Sequence, residues 1–310
     1  MSSEGNRGGG RLRGAVAVAV GFLGNVARLV HADIVKLFRY WVIIAGYAVM
    51  FVIPLLGAVL VYYAEQKVRI ISISGYAFAV AGFTRCVDLA QPILYVMICT
   101  LFALEVSHST IKYILARPIT RMELLVSKYV TAFLMVVLAL LIFWAVSLGT
   151  GWYFFGLGDL MDDTQNICFT AWETARGLAL GTLLVLVPMF TVAAMALMIS
   201  SYSSTMGGAI IIGLIAYVFF QLLSLIAPIL PDAWRLTFES GGESYVFPFI
   251  AFAFPSLALR PIDRLDSLVC CFHPQWWDWE IQSMLIVCAA YFIIFFAVSA
   301  IGVKRRDFIL

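Results

Sequence analysis

The sequence predicts an all-α integral membrane protein with six transmembrane helices. Of its 310 residues, 63% are hydrophobic and only 12% are charged, whereas soluble domains are about 45–50% apolar and about 25% charged. Five long uncharged runs provide the spans, and one of them is long enough for two. An N-terminal interfacial helix, a short cytoplasmic helix after the second span, and short outer re-entrant segments between spans five and six complete the predicted fold.

The first 40 residues divide into a polar tail and an amphipathic helix. We expect residues 1–19 to be a disordered tail and residues 20–40 to form a helix on the membrane surface, with apolar side chains in lipid and basic ones at headgroup phosphates. The apolar set is Phe22, Val26, Leu29, Val30 and Phe38, and the basic set is Arg28, Lys36 and Arg39. Residues 14–24 also resemble a signal-peptide core, but cleavage there would leave an odd segment ahead of the first span.

Six spans follow within residues 41–310, which form the predicted membrane domain. The uncharged run from Gly177 to Pro231 would be about 80 Å long as one helix, at roughly 1.5 Å per residue. Because the hydrocarbon core is about 30 Å thick, this run must fold back, and SSYSSTMGG (200–208) is the natural hinge. The predicted spans are about 42–63, 86–105, 129–155, 177–199, 208–230 and 282–303.

Two weaker patterns concern how the spans pack and how many there are. The pairs Gly177/Gly181 and Ala209/Gly213 are small-x-x-x-small motifs, which allow close helix approach but are frequent in membrane helices. Residues 70–84 and 245–259 are apolar but short for a span of about 20 residues, so we expect outer-face or re-entrant segments. If both crossed the membrane, the protein would have eight spans.

The basic residues predict the orientation, because cytoplasmic loops are enriched in lysine and arginine. With six spans, both termini, the loop between spans two and three, and the 200–208 hinge share one side. That side holds 13 of the 20 basic and 5 of the 18 acidic residues, a net charge of +8, and the remaining 7 basic and 13 acidic residues give −6. We therefore expect a multi-pass protein of the cell (plasma or inner) membrane with both termini cytoplasmic.

The loop Glu105–Lys128 (EVSHSTIKYILARPITRMELLVSK) combines a short amphipathic helix, a break and a new helix start. Pro118 biases Arg117 out of the helical region and ends the first helix. Thr120 and Glu123 then form an S/T-x-x-E capping box before an apolar run. The apolar residues of the short helix recur at three- and four-residue spacing and share one face. They are Val106, Ile111, Ile114 and Leu115.

The residue patterns favour no enzymatic class. No P-loop, dinucleotide fingerprint, HExxH or GxSxG is present, and Ser107-His108-Ser109 has neighbours that point in different directions on a helix. We predict no catalytic, cofactor-binding or metal-binding residues. The central residues of the spans carry no charge, which argues against an ion-coupled carrier. Energy would then arrive from outside the membrane.

The outer side carries cysteines and aromatic residues whose roles stay open. A disulfide from Cys168 to Cys270 or Cys271 is one alternative in an oxidising compartment, and unpaired thiols are the other. The segment CCFHPQWWDWE (270–280) holds residues that could form a metal cluster, but their spacing fits no strong pattern. Its tryptophans are typical of an interfacial belt.

The Glu105–Lys128 loop resembles that of the permease subunit of type-2 ABC transporters, the exporter-like class. That family carries a glutamate after the second span, a threonine about five residues on, paired aliphatics, P-[IV]-[ST]-R, and a lysine before the third span. His108 and Ser109 depart from the Glu or Gly that the family tends to have. The matching residues are Glu105, Thr110, Ile114, Leu115, Pro118, Ile119, Thr120, Arg121 and Lys128.

The resemblance implies a membrane subunit that is not itself an enzyme. Two copies, or this chain and a paralogue, would pair with two cytoplasmic ATPase subunits that bind ATP and Mg²⁺ and receive the short helix as a coupling helix. No nucleic acid is implied, and the exported substrate is unspecified. The alternative function is a non-transporting membrane anchor or assembly protein that recruits a cytoplasmic partner through the same loop. A membrane-embedded enzyme is the third function, and the lack of clustered ionisable residues weakens it. For the loop alone, the alternative is an interfacial helix without any partner.

Roles follow as hypotheses for the loop residues. An apolar anchor would enter the partner's cleft, two basic residues would pair with partner carboxylates, and two residues would set the angle to the third span. Glu105 and Arg121 would form an ion pair that closes the loop. The apolar anchor is Ile111, Ile114 and Leu115. The two basic residues are Lys112 and Arg117, and the two residues that set the angle are Pro118 and Thr120.

Overall fold

The computed structural model describes residues 6–68, 75–107, 119–161, 167–226, 237–240, 243–246 and 257–305. Within these ranges the chain forms eight helices and two short antiparallel hairpins. The helices are α1 (Asn6–Leu37), α2 (Trp41–Val68), α3 (Gly75–Ser107), α4 (Arg121–Phe155), α5 (Ala171–Tyr202), α6 (Met206–Ile226), α7 (Leu259–Val269) and α8 (Trp279–Arg305). The hairpins pair β1 (Leu160–Met161) with β2 (Ile167–Phe169) and β3 (Thr237–Ser240) with β4 (Glu243–Val246).

The helices confirm the predicted all-α membrane class. By length and composition, α4, α5, α6 and α8 are each suited to span a bilayer, and the bent pair α1–α2 raises the number to five among the described residues. The 33-residue helix α3 would supply a sixth. Six spans therefore stay a prediction.

α1 differs from its predicted form in two respects. It begins at Asn6, so most of the 1–19 segment expected as a disordered tail is helical, because the apolar run GAVAVAVGFLG continues the helix. Val26 and Val30, expected to face lipid, are buried because α1 packs along α4. The segments Gly21–Leu37 and Trp41–Gly57 meet at 76°, the kind of angle that a surface helix needs before it turns into a span.

α3 corrects part of the expectation for residues 70–84. Residues 70–74 lie outside the described residues, and from Gly75 onward this stretch is the first part of the same helix that ends at Ser107, so it is not a separate re-entrant segment. Its position at the outer face stays a prediction. The charged residues Arg85 and Asp88 interrupt the hydrophobic run but not the helical backbone. The helix start is held on α4, where Phe83 stacks on Trp144 with ring centroids 4.3 Å apart. Of the other stretch, residues 247–256 lie outside the described part of the chain.

Both small-x-x-x-small pairs lie at close helix contacts. Gly177 and Gly181 face Leu268 and Leu265 of α7, so α7 packs directly on the α5 backbone. A Cβ placed on Gly213 would lie 2.7 Å from Cys99 Sγ, which marks the contact between α6 and α3. The hinge prediction is also confirmed, since α5 ends at Tyr202 and α6 begins at Met206.

The described elements sort into two ends of the bundle. One end gathers α1, the end of α3, the start of α4, the α5–α6 hinge and the end of α8, where Tyr202 Oη donates a hydrogen bond to Val298 O at 3.0 Å. We name this end of the bundle the basic end. The opposite end holds the start of α3, the β1–β2 hairpin and α7, and there the rings of Phe169 and His273 lie 4.9 Å apart.

Candidate functional site

The candidate site is the loop base, the two ends of the Glu105–Lys128 loop that the structure describes. It comprises Glu105 on α3 and Thr120, Arg121, Glu123 and Lys128 at the start of α4. Residues 108–118, the tip of the loop, lie outside the described residues. The predicted partner-contacting residues there stay predictions. They are Thr110, Ile111, Lys112, Ile114, Leu115, Arg117 and Pro118.

Lys128 is the centre of a buried charge cluster. Its side chain is 2% exposed, and its Nζ lies 2.8 Å from Asp33 Oδ1 and 2.9 Å from Glu105 Oε1. Since Asp33 is on α1 and Glu105 on α3, a single ammonium joins three helices. Buried charges persist only where they are paired, so this arrangement fixes the relative positions of α1, α3 and α4.

Lys36 completes the cluster from the solvent side. Its Nζ lies 2.9 Å from the same Glu105 Oε1, and its side chain is 41% exposed. We expected Lys36 to meet headgroup phosphates, and the structure instead places it against a carboxylate, one turn after Asp33 on the inner face of α1. Arg28 and Arg39 are exposed, and their contact with headgroup phosphates stays a prediction. Two lysines and two carboxylates make the cluster neutral overall.

Burial also changes the pKa of Asp33, the carboxylate that α1 contributes to the cluster. It raises the pKa of the Asp33 carboxyl above its ordinary value, although the Lys128 ammonium opposes the rise. A cavity of about 20 Å³ adjoins the cluster between α1, α2 and α3, which is room for one water molecule. Lys128, Asp33 and Glu105 are therefore nearly closed to solvent, whereas Lys36 is not.

The capping box predicted at the start of α4 is confirmed. Glu123 N donates to Thr120 Oγ1 at 3.2 Å, and Thr120 N donates to Glu123 Oε2 at 2.6 Å. The other carboxylate oxygen of Glu123 accepts a bond from Asn25 Nδ2 of α1 at 3.0 Å. The cap therefore sets the first turn of α4 and also ties it to α1. An equivalent box at Thr170 and Glu173 starts α5.

Arg121 connects the loop base to the last turn of α8. Its Nη1 donates to Lys304 O at 2.6 Å and lies 3.4 Å from Val303 O. Carbonyl groups at a helix C-terminus lack intrahelical partners and favour a cation. We predicted an ion pair between Glu105 and Arg121, but Glu105 lies against Lys36 and Lys128, and Arg121 reaches the end of α8.

Two carboxylates of the 270–280 segment, which was considered for a metal cluster, form ion pairs with α7. Arg264 Nη2 lies 3.0 Å from Asp278 Oδ2 and 2.8 Å from Glu280 Oε2, so these carboxylates join α7 to the start of α8. None of the six cysteines, all of which lie in the described part of the chain, forms a disulfide. Among the described residues, no group of three or more His, Cys, Asp or Glu side chains could hold a metal ion.

Sequence reasoning missed the α1 half of the site. Asp33 and Asn25 were not singled out, although Asp33 is the only acidic residue between positions 20 and 40. It follows Val26 by seven residues and Val30 by three, so it shares their buried helix face. An acidic residue on the apolar face of a basic helix is the signal that indicates a buried partner.

Replacing Thr120 with alanine is expected to lower the free energy of unfolding by about 1 kcal/mol, since the cap hydroxyl that accepts the Glu123 N–H is lost. Thr120→Ser keeps the hydroxyl and should retain most of the stability. Denaturation of the purified variants in one detergent would measure both. Equal losses for the two variants would contradict a role of the hydroxyl in capping.

Comparison with known proteins gives one family. Residues 29–221 match the family described as ABC-2 family transporter protein. The matched range begins within α1, contains the whole loop base and ends within α6. A search among curated proteins gave no match.

Proposed function

Because this chain belongs to the ABC-2 family of transporter proteins, we propose that it is the membrane-spanning subunit of an ATP-driven exporter. ATP hydrolysis occurs on a separate ABC ATPase that binds the loop between α3 and α4. The chain works as a pair, either with a second copy or with a paralogous permease. Its substrate is carried outward across the membrane.

The geometry of the loop base is the observation that supports this proposal. A partner that pushes on residues 108–118 acts on a segment whose two ends are fixed by Lys128, Glu105 and the α4 cap. Since both ends of the loop are fixed to helices, its displacement would move those helices with it. Through Asp33 and Arg121, the same displacement reaches α1 and α8.

The charge distribution supports a cytoplasmic position for the basic end. Arg28, Arg39, Lys304 and Arg305 are exposed there, and basic residues are enriched on the cytoplasmic side of membrane proteins. ATP is available on that side. The loop base, the N-terminal helix and the end of α8 therefore face the compartment that holds the ATPase.

Reversing two charges at the loop tip tests the proposal. The permease is expressed with its cognate ATPase, and the tagged complex is purified. Lys112→Glu/Arg117→Glu should insert and purify normally but lose most of the bound ATPase, since like charges would face the partner's carboxylates. Arg121 is left intact in this design because it holds the end of α8.

Arg28→Glu/Arg305→Glu is the matched control, because it reverses two exposed charges at the same end outside the loop. It should retain the ATPase. Wild-type recovery of the ATPase by the loop variant would contradict the coupling role. If the ATPase binds but its hydrolysis never changes in proteoliposomes loaded with lipids or hydrophobic drugs, the anchor function gains support instead.

A further inference from the structure

An open apolar cavity lies in the corner where α1 turns into α2. Its volume is about 270 Å³, and it lies between α1, α2 and α4. We name it the corner groove. Its lining is Ile34, Leu37, Phe38, Ile43, Tyr47, Thr131, Leu134, Met135 and Leu138.

The two polar side chains of the corner groove already have partners within the protein. Tyr47 Oη donates to Met135 O at 3.2 Å, and Thr131 Oγ1 donates to Ser127 O at 2.9 Å. The remaining lining is hydrocarbon, thioether or aromatic. A polar ligand would lose its hydration there without compensation, so the groove suits an apolar chain.

The corner groove opens sideways. Phe38 is 64% exposed, and Leu134 and Leu138 on α4 are 40% and 38% exposed. Exposed leucine continues along α4 at Leu141, so the opening leads onto a lipid-facing stripe of that helix. In a bilayer, the molecules that meet such an opening are lipids, and their acyl chains have the required shape and polarity.

The exposed basic residues beside the corner groove favour a lipid with an anionic headgroup. Arg39 directly follows Phe38 and is exposed, as is Arg28 farther along α1. The acidic residue of this segment, Asp33, is buried on Lys128 and does not oppose an anion. Basic residues at a membrane surface attract anionic lipids.

We propose that the corner groove binds an anionic phospholipid, with an acyl chain between α1, α2 and α4 and the phosphate at the α1–α2 turn. Leu37 and Ile43 line both this groove and the small cavity at the charge cluster. A bound chain therefore supports α1 against α4 beside the Lys128 ion pairs. Only the inner-leaflet location of the lipid depends on the proposed function, since the binding itself needs only the groove.

Photo-crosslinking of the full-length chain tests this proposal. The protein is placed in phosphatidylcholine nanodiscs containing phosphatidylglycerol with a diazirine on its acyl chain. Cross-links should concentrate on the α4 peptide that contains Leu134, Met135 and Leu138, and unlabelled phosphatidylglycerol should compete better than phosphatidylcholine. Leu138→Trp fills the groove and should reduce this labelling by about tenfold, since several methylenes lose their buried contacts.

Leu141→Trp is the matched control, because it enlarges an exposed leucine on the same helix that does not line the groove. It should leave the labelling unchanged, and Arg39→Glu should remove the preference for phosphatidylglycerol. Labelling spread evenly along α4, or unaffected by Leu138→Trp, would mean ordinary boundary lipid and would overturn the proposal. Labelling lost in the assembled transporter but present in the isolated chain would mean that another subunit covers the groove, which also overturns it.

This experiment is independent of ATPase binding. If cross-linking follows the groove while the ATPase fails to bind, the proposed function fails and the lipid site stands. If the ATPase binds and the cross-links do not concentrate at the groove, the lipid site fails and the proposed function stands.

Discussion

Replacing Lys128 with methionine is expected to lower the free energy of unfolding by about 3–5 kcal/mol, the usual consequence of removing one partner from a buried ion pair. The variant would remove the ammonium that lies 2.8 Å from the Asp33 carboxylate, which is 5% exposed, and would leave Glu105, which is 3% exposed, with its Lys36 ion pair. Neither carboxylate can regain its hydration without separating α1 from α3 and α4. Unfolding of purified wild type and variant in the same detergent, under denaturant, gives the difference.

Lys36→Met is the matched control for this prediction. It removes an ammonium at 2.9 Å from the same Glu105 oxygen, but Lys36 is 41% exposed and Glu105 keeps its bond to Lys128. Exposed pairs contribute about 0–1 kcal/mol, so a small loss is expected. Equal losses in the two variants would contradict the central position of Lys128.

A charge-free version of the cluster separates the cost of unpaired charge from the loss of packing. Asp33→Asn/Glu105→Gln/Lys128→Met removes both buried carboxylates together with their ammonium. Buried ion pairs replaced as a whole by neutral groups often cost little. The triple variant should therefore be clearly more stable than Lys128→Met alone. A triple variant as unstable as the single one would show that packing of the lysine stem, not charge, dominates.

The loop base illustrates what local sequence signals can predict. The Thr120–Glu123 box was predicted because its partners are three residues apart and follow a fixed pattern. The partners of Glu105 were predicted wrongly because they are separated in the chain: Lys36 by 69 positions and Lys128 by 23. Such distances carry no periodic signal. Proximity along the loop favoured Arg121, whereas burial selected Lys128.

The same contrast applies to the fold. Composition predicted an all-α membrane protein because apolar content is a property of the whole chain. The turn into the first span was predicted because the amphipathic segment 20–40 is followed by an uncharged run. The start of α3 at Gly75 was not predicted, because the charged Asp88 borders the second uncharged run, while the contact of Gly75 with α4 lies farther toward the helix start. Hydropathy indicates which residues can contact lipid, whereas the positions of helix ends also depend on tertiary contacts.

That contact leads to a second large expected effect, at Gly151 on α4. A Cβ there would collide with Gly75 O, a backbone atom of α3, and would touch Ala79 Cβ at 3.4 Å. A side chain can rotate away from a collision, but a backbone carbonyl moves only with its helix. Gly151→Val should therefore separate the end of α4 from the start of α3 and lower the free energy of unfolding by about 3 kcal/mol, at the upper end of the overpacking range.

Gly149→Val is the matched control, since Gly149 lies two residues earlier on the same helix and a Cβ there meets no atom within 4 Å. Both substitutions place the same β-branched residue in α4, so the difference between them isolates the contact with α3. Gly151 lies about 35 Å along the helix from Lys128, at roughly 1.5 Å per residue. Purified Gly151→Val should thus unfold at lower denaturant than Gly149→Val while its ATPase still binds. Matching unfolding curves for the two variants would mean that α3 and α4 do not meet backbone to backbone at this end.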